Sequence, residues 1–279
     1  MLRGVDIMIQ LNKKIIETNK FPDGTPLLNF QLPQDIYAKG AVIDWLFENN
    51  EELVTVIYLT KHLRENGVGD VFLNMPYVPN ARQDRVKSPK DVFTLKYFAD
   101  VINYLDFNAV QILDVHSYVA EALFNRVVSC SPANFIKSVI EKLESETEND
   151  KTPIHIFYPD EGAMKRYSST LEYGAYSFGI KKRDWDSGKI EGLEVFGAVD
   201  RIKDSKILII DDICSRGGTF YHSAKKLKEL GAKEIYLWVT HCENTILEGE
   251  LLTSGLIEKV YTTNSIFTKE HEKIEVLSL

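Results

Sequence analysis

The chain has 279 residues, 44% hydrophobic and 27% charged, enough for one large core or two ordinary ones and unlike a disordered polymer. Lys and Arg total 33 against 41 Asp and Glu, a net charge of −8, which argues against nucleic acid as the partner but allows a locally basic phosphate pocket. No apolar run reaches the ~18–20 residues that a bilayer requires, and the first ten residues carry no signal-peptide pattern, so no membrane association is expected. Three widely spaced cysteines, Cys130, Cys214 and Cys242, read as reduced thiols of a cytoplasmic protein without a zinc site.

In chain order, residues 5–10 and 15–18 are β-rich. Phe21-Pro22-Asp23-Gly24 is a turn signal joining 15–18 to a further run at 27–32. The pattern over 36–66 suggests helical segments broken near Glu48-Asn49-Asn50, and 71–76 is a short buried strand. Ser88 as N-cap, Pro89 at the first helical position and Asp91 in the first turn predict a helix start. Leu95, Phe98, Ala99, Ile102 and Leu105 then recur at helical spacing, and 109–115 is the next strand.

The second half repeats the theme. An acidic stretch over 141–150 reads as a solvated helix end and loop. Strands are expected at 155–158, 175–180, 205–211 and 234–240. The four consecutive aliphatics Ile207-Leu208-Ile209-Ile210 suit a strand buried on both faces of a parallel sheet. After Thr219 an amphipathic helix turns Phe220, Ala224, Leu227 and Leu230 inward and Lys225, Lys226 and Lys228 outward, and Gly231 ends it. Strands alternating with helices predict an α/β fold: two similar domains, each a mostly parallel sheet flanked by helices, divided as 1–131 and 132–279.

Most of the functional information lies in 207–219. A hydrophobic strand delivers Asp211 and Asp212 to its carboxyl end, where open α/β sheets bind ligands. A loop follows, and Gly217-Gly218-Thr219 opens a helix. Glycines let backbone amides approach a phosphate, and the helix start adds a partial positive charge and free donors. Carboxylates repel phosphate but accept hydrogen bonds from hydroxyls. The pair of acids beside a phosphate nest therefore points to a sugar phosphate. No Walker-type Gly-x-x-x-x-Gly-Lys-Ser/Thr loop occurs.

This segment resembles the phosphoribosyl-pyrophosphate loop of type I phosphoribosyltransferases, and the chain as a whole resembles the ribose-phosphate pyrophosphokinase family. Four further segments carry that resemblance in family order. Phe21-Pro22-Asp23-Gly24 is similar to a Phe-x-Asp-Gly-Glu loop. Pro76-Tyr77-Val78-Pro79-Asn80-Ala81-Arg82-Gln83-Asp84-Arg85 is similar to Pro-Tyr-x-x-x-Ala-Arg-Gln-Asp-Arg. Asp114-Val115-His116 and Tyr158-Pro159-Asp160-Glu161-Gly162 resemble Asp-Leu-His and Ser-Pro-Asp-x-Gly.

The resemblance implies a type I phosphoribosyltransferase-like fold, ATP bound by the N-terminal domain and ribose phosphate by the C-terminal one. The activity implied is diphosphoryl transfer from ATP to the anomeric hydroxyl of ribose 5-phosphate with Mg²⁺, in nucleotide biosynthesis. Arg82, Gln83, Asp84 and Arg85 would bind ATP, with Phe21 and Asp23 supplied by a neighbouring subunit of a homo-oligomer. Gln and Asp can meet an adenine edge and two Arg can hold a triphosphate; a solvated polar turn is the plainer reading. Phe21 suits adenine stacking or ordinary core packing. His116 and Asp160 match the family's Mg²⁺ ligands; magnesium prefers oxygen, so Asp160 is the better candidate, and His116 could instead touch the transferred phosphate. Lys181 and Arg183 match the basic pair of the catalytic loop, with the glycine-containing stretch 185–189 as a lid; a surface charge run is the plainer alternative. Lys181, Arg183, His116 and Arg85 would surround the moving group. Asp211 and Asp212 would hold the diol, and Ser215, Arg216, Gly217, Gly218 and Thr219 the phosphate.

The chain also departs from the family pattern. Its loop has Ser215 and Arg216 where the family has Asp and Thr, a charge change of +2 that would suit a more highly charged acceptor such as ADP-ribose. Thr25 replaces the Glu of the Phe-x-Asp-Gly-Glu loop. The chain lacks the helix that the family pattern leads one to expect ahead of the first strand, and it stops at 274–279, where a final helix would be expected, which bears on oligomer contacts and on allosteric control by ADP and phosphate. The competing readings are the same chemistry on ADP-ribose, a phosphoribosyltransferase, and a non-catalytic regulatory homologue.

Overall fold

The apolar runs become the middle strands of two separate sheets, one in each of two units, Met1–Ser131 and Pro132–Leu279. A computed structural model describes residues 9–145, 152–183 and 190–279. The expected strand residues 5–8, part of the acidic stretch (146–150) and the lid candidate 185–189 lie outside the described residues.

In the first unit, β1 (Ile9–Leu11) pairs antiparallel with β2 (Lys14–Ile15). β3 (Thr18–Lys20) and β4 (Pro26–Leu28) form a small antiparallel hairpin around the predicted turn. Then come α1 (Ile36–Lys39), β5 (Ala41–Trp45), α2 (Glu51–Glu65), β6 (Val71–Asn74), α3 (Thr94–Tyr104), β7 (Ala109–Leu113), α4 (Tyr118–Leu123) and β8 (Val127–Cys130). The sheet order is β2-β1-β5-β6-β7-β8, with β5 to β8 parallel. Ile43, Trp45, Leu59, Leu73, Phe98 and Ile112 share one buried cluster across sheet and helices.

Two expectations fail here. Residues 41–45 are not helical: Ala41–Trp45 is a strand between β1 and β6. A short apolar run reads alike as buried helix or strand, and β-branched Val42 and Ile43 with a sheet neighbour on each side decide for strand. Trp45 is fixed there by its Nε1 donating to buried Glu52 at 2.8 Å. Nor does Ser88-Pro89 start a helix. Asp91 accepts from the amides of Lys87 and Ser88, both at 2.8 Å, which closes a separate turn, and α3 begins only at Thr94.

The second unit runs α5 (Ala133–Ser145), β9 (Ile154–Tyr158), α6 (Glu161–Leu171), β10 (Tyr176–Arg183), β11 (Ile190–Gly197), β12 (Lys206–Cys214), α7 (Gly218–Glu229), β13 (Glu234–Cys242), β14 (Lys259–Thr263) and β15 (Ile274–Leu277). The order is β11-β10-β9-β12-β13-β14-β15, all parallel but for β11. Alternation along β12 builds both layers. Leu208 and Ile210 pack with α5 and α6. Ile207 and Ile209 pack with Phe220, Ala224 and Leu227 of α7. β12 runs to Cys214, three residues past its expected end, so Asp211 and Asp212 sit within the strand. Among the described residues no helix is long and apolar enough to cross a membrane.

His155 in β9 is 3% exposed, with Nε2 2.9 Å from the Ser177 hydroxyl. Burial, aided by the charge of Arg201, pushes its pKa down to about 4. Below about pH 6.5 the unfolded chain takes up a proton that the folded imidazole refuses until about pH 4. His155 therefore withdraws about 3 kcal/mol of stability as pH falls through that window, about 1.4 kcal/mol per unit. Urea midpoints measured from pH 7 to 4 should fall less steeply in His155→Gln. An identical slope would refute this.

Candidate active site

After β9 the chain leaves through α6 towards β10; after adjacent β12 it leaves through α7 towards β13 on the other side. The carboxyl ends of β9 and β12 thus flank the point where strand order reverses, the general ligand position of open α/β sheets. Asp160 stands at one end and Asp211 with Asp212 at the other.

Asp160 is the N-cap of α6, its Oδ1 accepting from the Ala163 amide at 3.1 Å. Asp211 is half-buried, and its Oδ1 accepts from the Asp212 amide at 3.0 Å. Burial first, then the charges of Asp212 and Asp160, raise its carboxyl well above the ordinary range. Asp212, on the α6 face of the strand, is 3% exposed, and its Oδ2 lies 3.0 Å from NH1 of Arg166 on α6. The two acids are therefore not equivalent: one is held by a guanidinium, and the other carries the unfavourable charge.

The loop 215–217 leads into α7. Gly217 caps the helix at φ +78°, and its carbonyl accepts from the Tyr221 amide at 2.9 Å. This left-handed conformation, and a neighbouring Leu251 that a Cβ would meet at 2.9 Å, require glycine here. Gly218 and Thr219 open α7, and the amides of a helix's first turn form the positive end of its dipole, a ready anion site.

The surplus charge expected at this loop is balanced. Arg216 NH2 donates to Glu248 Oε2 at 3.0 Å, an exposed pair, and Ser215 Oγ is 3.2 Å from Thr245 Oγ1.

In the first unit the polar turn after β6 gathers a second cluster. Arg85 donates from Nε and NH2 to the two oxygens of buried Asp84, at 2.8 and 2.9 Å. The hydrogen bonds from Arg85, then the charges of Arg85 and His116, hold the Asp84 carboxyl below its ordinary pKa. His116, following β7, thus lies beside Asp84. Asp84 is engaged by Arg85 rather than open to a purine edge, and Gln83 Oε1 accepts from Thr94 Oγ1 at 2.6 Å. Arg82 is exposed. Phe21, 49% exposed, sits at the tip of the β3–β4 hairpin with Asp23, whose Oδ1 accepts from the Thr25 amide and hydroxyl. Core packing for Phe21 is excluded.

Lys181 and Arg183 lie at the end of β10, where its backbone pairs with β11; their side chains are outside the described residues. Among the described residues no three His, Cys, Asp or Glu side chains are grouped to hold a metal by themselves. Mg²⁺ typically takes one or two carboxylates plus substrate phosphates, and the adjacent charges of Asp160 and Asp211 fit that donor set.

Sequence reading missed Arg166, Glu243, Thr245, Glu248 and Gly249. The polar residues that follow the buried run of β13 were the available signal for the last four.

No protein-family model matches the chain. It is 27% identical over 265 residues to the ribose-phosphate pyrophosphokinase of Campylobacter jejuni, covering 93% of this chain and 82% of that one. It is 28% identical over 258 residues to that of Thermococcus kodakarensis (91% and 86%) and 29% over 279 residues to that of Helicobacter hepaticus (97% and 85%). The phosphoribosylpyrophosphate synthetase structure from Mycobacterium smegmatis superposes with a TM-score of 0.77 at 19% identity, covering 94% and 85% of the two chains, so the fold is shared. The resemblance carried by the motifs and the expected α/β class are both borne out.

Proposed function

We propose that this homologue of the ribose-phosphate pyrophosphokinases transfers the β,γ-diphosphoryl group of ATP to the anomeric hydroxyl of ribose 5-phosphate. The anomeric oxygen attacks the β-phosphorus, the bond from that phosphorus to the bridging oxygen of the α-phosphate breaks, and AMP leaves. The hydroxyl proton passes to solvent. The observation that carries this reading is Asp211 beside the glycine-opened start of α7 at the reversal point of the second sheet, in a chain related to those enzymes over nine-tenths of its length.

In the second unit, Asp211 accepts hydrogen bonds from the ribose diol, while Arg166 orients Asp212. Amides of Gly218 and Thr219, with the Gly217 turn and the Thr219 hydroxyl, hold the 5-phosphate. In the first unit, Arg82 and Arg85 bind ATP phosphates, Asp84 aims Arg85, and Gln83 serves the adenine. Lys181 and Arg183 meet charge on the transferred group, where positioning and neutralisation supply most of the rate, and His116, beside Asp84, meets ATP phosphates in the first unit. Asp160, beside Asp211, would hold Mg²⁺, which neutralises phosphate oxygens when bound. We further propose a cytoplasmic homo-oligomer in which Phe21 and Asp23 complete a neighbour's ATP site; the exposure of Phe21 supports this.

ADP-ribose as acceptor is disfavoured because Arg216, the residue that suggested it, is paired. A phosphoribosyltransferase or a regulatory homologue is disfavoured by the relatives. Incubation with ATP, Mg²⁺ and ribose 5-phosphate should yield AMP in step with acceptor consumed. ATP left intact would overturn the proposal.

A further inference from the structure

The segment after β13 grips the phosphate loop residue by residue. The Glu243 amide donates to the Cys214 carbonyl at 2.8 Å. Ser215 Oγ meets Thr245 Oγ1, which donates to Glu243 Oε2, each at 3.2 Å. Arg216 meets Glu248 at 3.0 Å. Ser215 and Arg216 are the two loop positions at which the chain is one charge more positive than the pattern it resembles, the first by lacking an acid and the second by adding a cation, and each is answered by one glutamate.

We infer that Glu243 and Glu248 are specificity-determining residues for the acceptor: they cancel the loop's surplus charge and hold Arg216 away, so the loop takes a single phosphate monoester. This rests on the diphosphoryl-transfer reading. A free guanidinium offers a planar, two-pronged donor for a second phosphate, as in a diphosphate-linked sugar. Bound to Glu248, Arg216 does not make that offer. Glu243, through Thr245, fixes the Ser215 hydroxyl and leaves a negative charge behind the loop that repels a second anionic group.

The test compares ribose 5-phosphate with ADP-ribose as acceptor, reading AMP, for the wild-type chain, Glu248→Gln, Glu243→Gln and the double variant. The exposed Arg216–Glu248 pair predicts a shift in relative kcat/KM towards ADP-ribose of about 2–5-fold in Glu248→Gln, the scale of one surface ion pair. The double variant should shift further, with KM for ATP unchanged. In an Arg216→Thr background Glu248→Gln should do nothing, an outcome that a merely structural role of Glu248 would not produce. An unchanged acceptor ratio in Glu248→Gln, or an equal shift without Arg216, would overturn the inference while leaving the activity standing. Wild-type chain giving no AMP with either acceptor would instead overturn the function itself, and the inference with it. Should the double variant not fold, Glu248→Gln and its Arg216→Thr partner decide alone.

Discussion

Asp211→Asn should lower kcat/KM for ribose 5-phosphate by about 10²–10³-fold, the cost of losing one preorganised polar partner at a reacting substrate, and at the same time raise the thermal midpoint. The two effects share a cause. Burial, Asp212 and Asp160 all disfavour the charge on Asp211, so its folded pKa lies above its unfolded one. At neutral pH, above the unfolded value, the unfolded chain carries that charge more easily than the folded one, and the folded state is the worse for it. Asparagine keeps the shape and the acceptor oxygen but removes the charge. A variant that keeps wild-type activity would void the role given to Asp211. Loss of activity with a lowered midpoint in calorimetry would void the electrostatic account of it.

Gly249→Ala should lower kcat/KM for the sugar by about 10²-fold, what a shift on the order of 1 Å in a positioned group costs, with ATP affinity unchanged. Gly249 closes the 3₁₀ turn Asn244–Glu248, and a Cβ there would run into the Arg216 carbonyl. The clash is with backbone at the loop's own peptide, so the loop must move. Overpacking of this kind costs about 1–3 kcal/mol. At Gly218, by contrast, a Cβ meets nothing within 4 Å, so Gly218→Ala should keep its thermal midpoint. Steady-state kinetics and thermal melts of the two variants check this together. Equal melting of Gly249→Ala and Gly218→Ala would contradict it.

How much of this could be read from the sequence depends on the range of the interactions. The run Ile207-Leu208-Ile209-Ile210 declares a two-face buried strand because the side chains on both of its faces are apolar, and the glycines after it declare the turn into α7. Residues 41–45 are too few to distinguish helical from strand periodicity, and only the pairing with β1 and β6 decides. Ser88, Pro89 and Asp91 mimic a helix start with the same local hydrogen bonds that make a closed turn. In the candidate site, the loop and its acids were legible as a contiguous string. Arg166, 46 positions before its partner Asp212, and Glu248, 32 positions after Arg216, were not, since only the adjacency of α6 and the β13 exit to the end of β12 brings them there. The charge imbalance inferred for the loop was thus a true property of the string and a false one of the pocket.

The central claim is that the bond broken lies between the α- and β-phosphates of ATP and that the β,γ-unit goes to a ribose bearing a 5-phosphate. ATP labelled at the β-phosphorus tests it most directly. The label should leave with the sugar, as an acid-labile anomeric diphosphate, while unlabelled AMP accumulates. Label recovered in ADP or as free phosphate, with the sugar unlabelled, would contradict it.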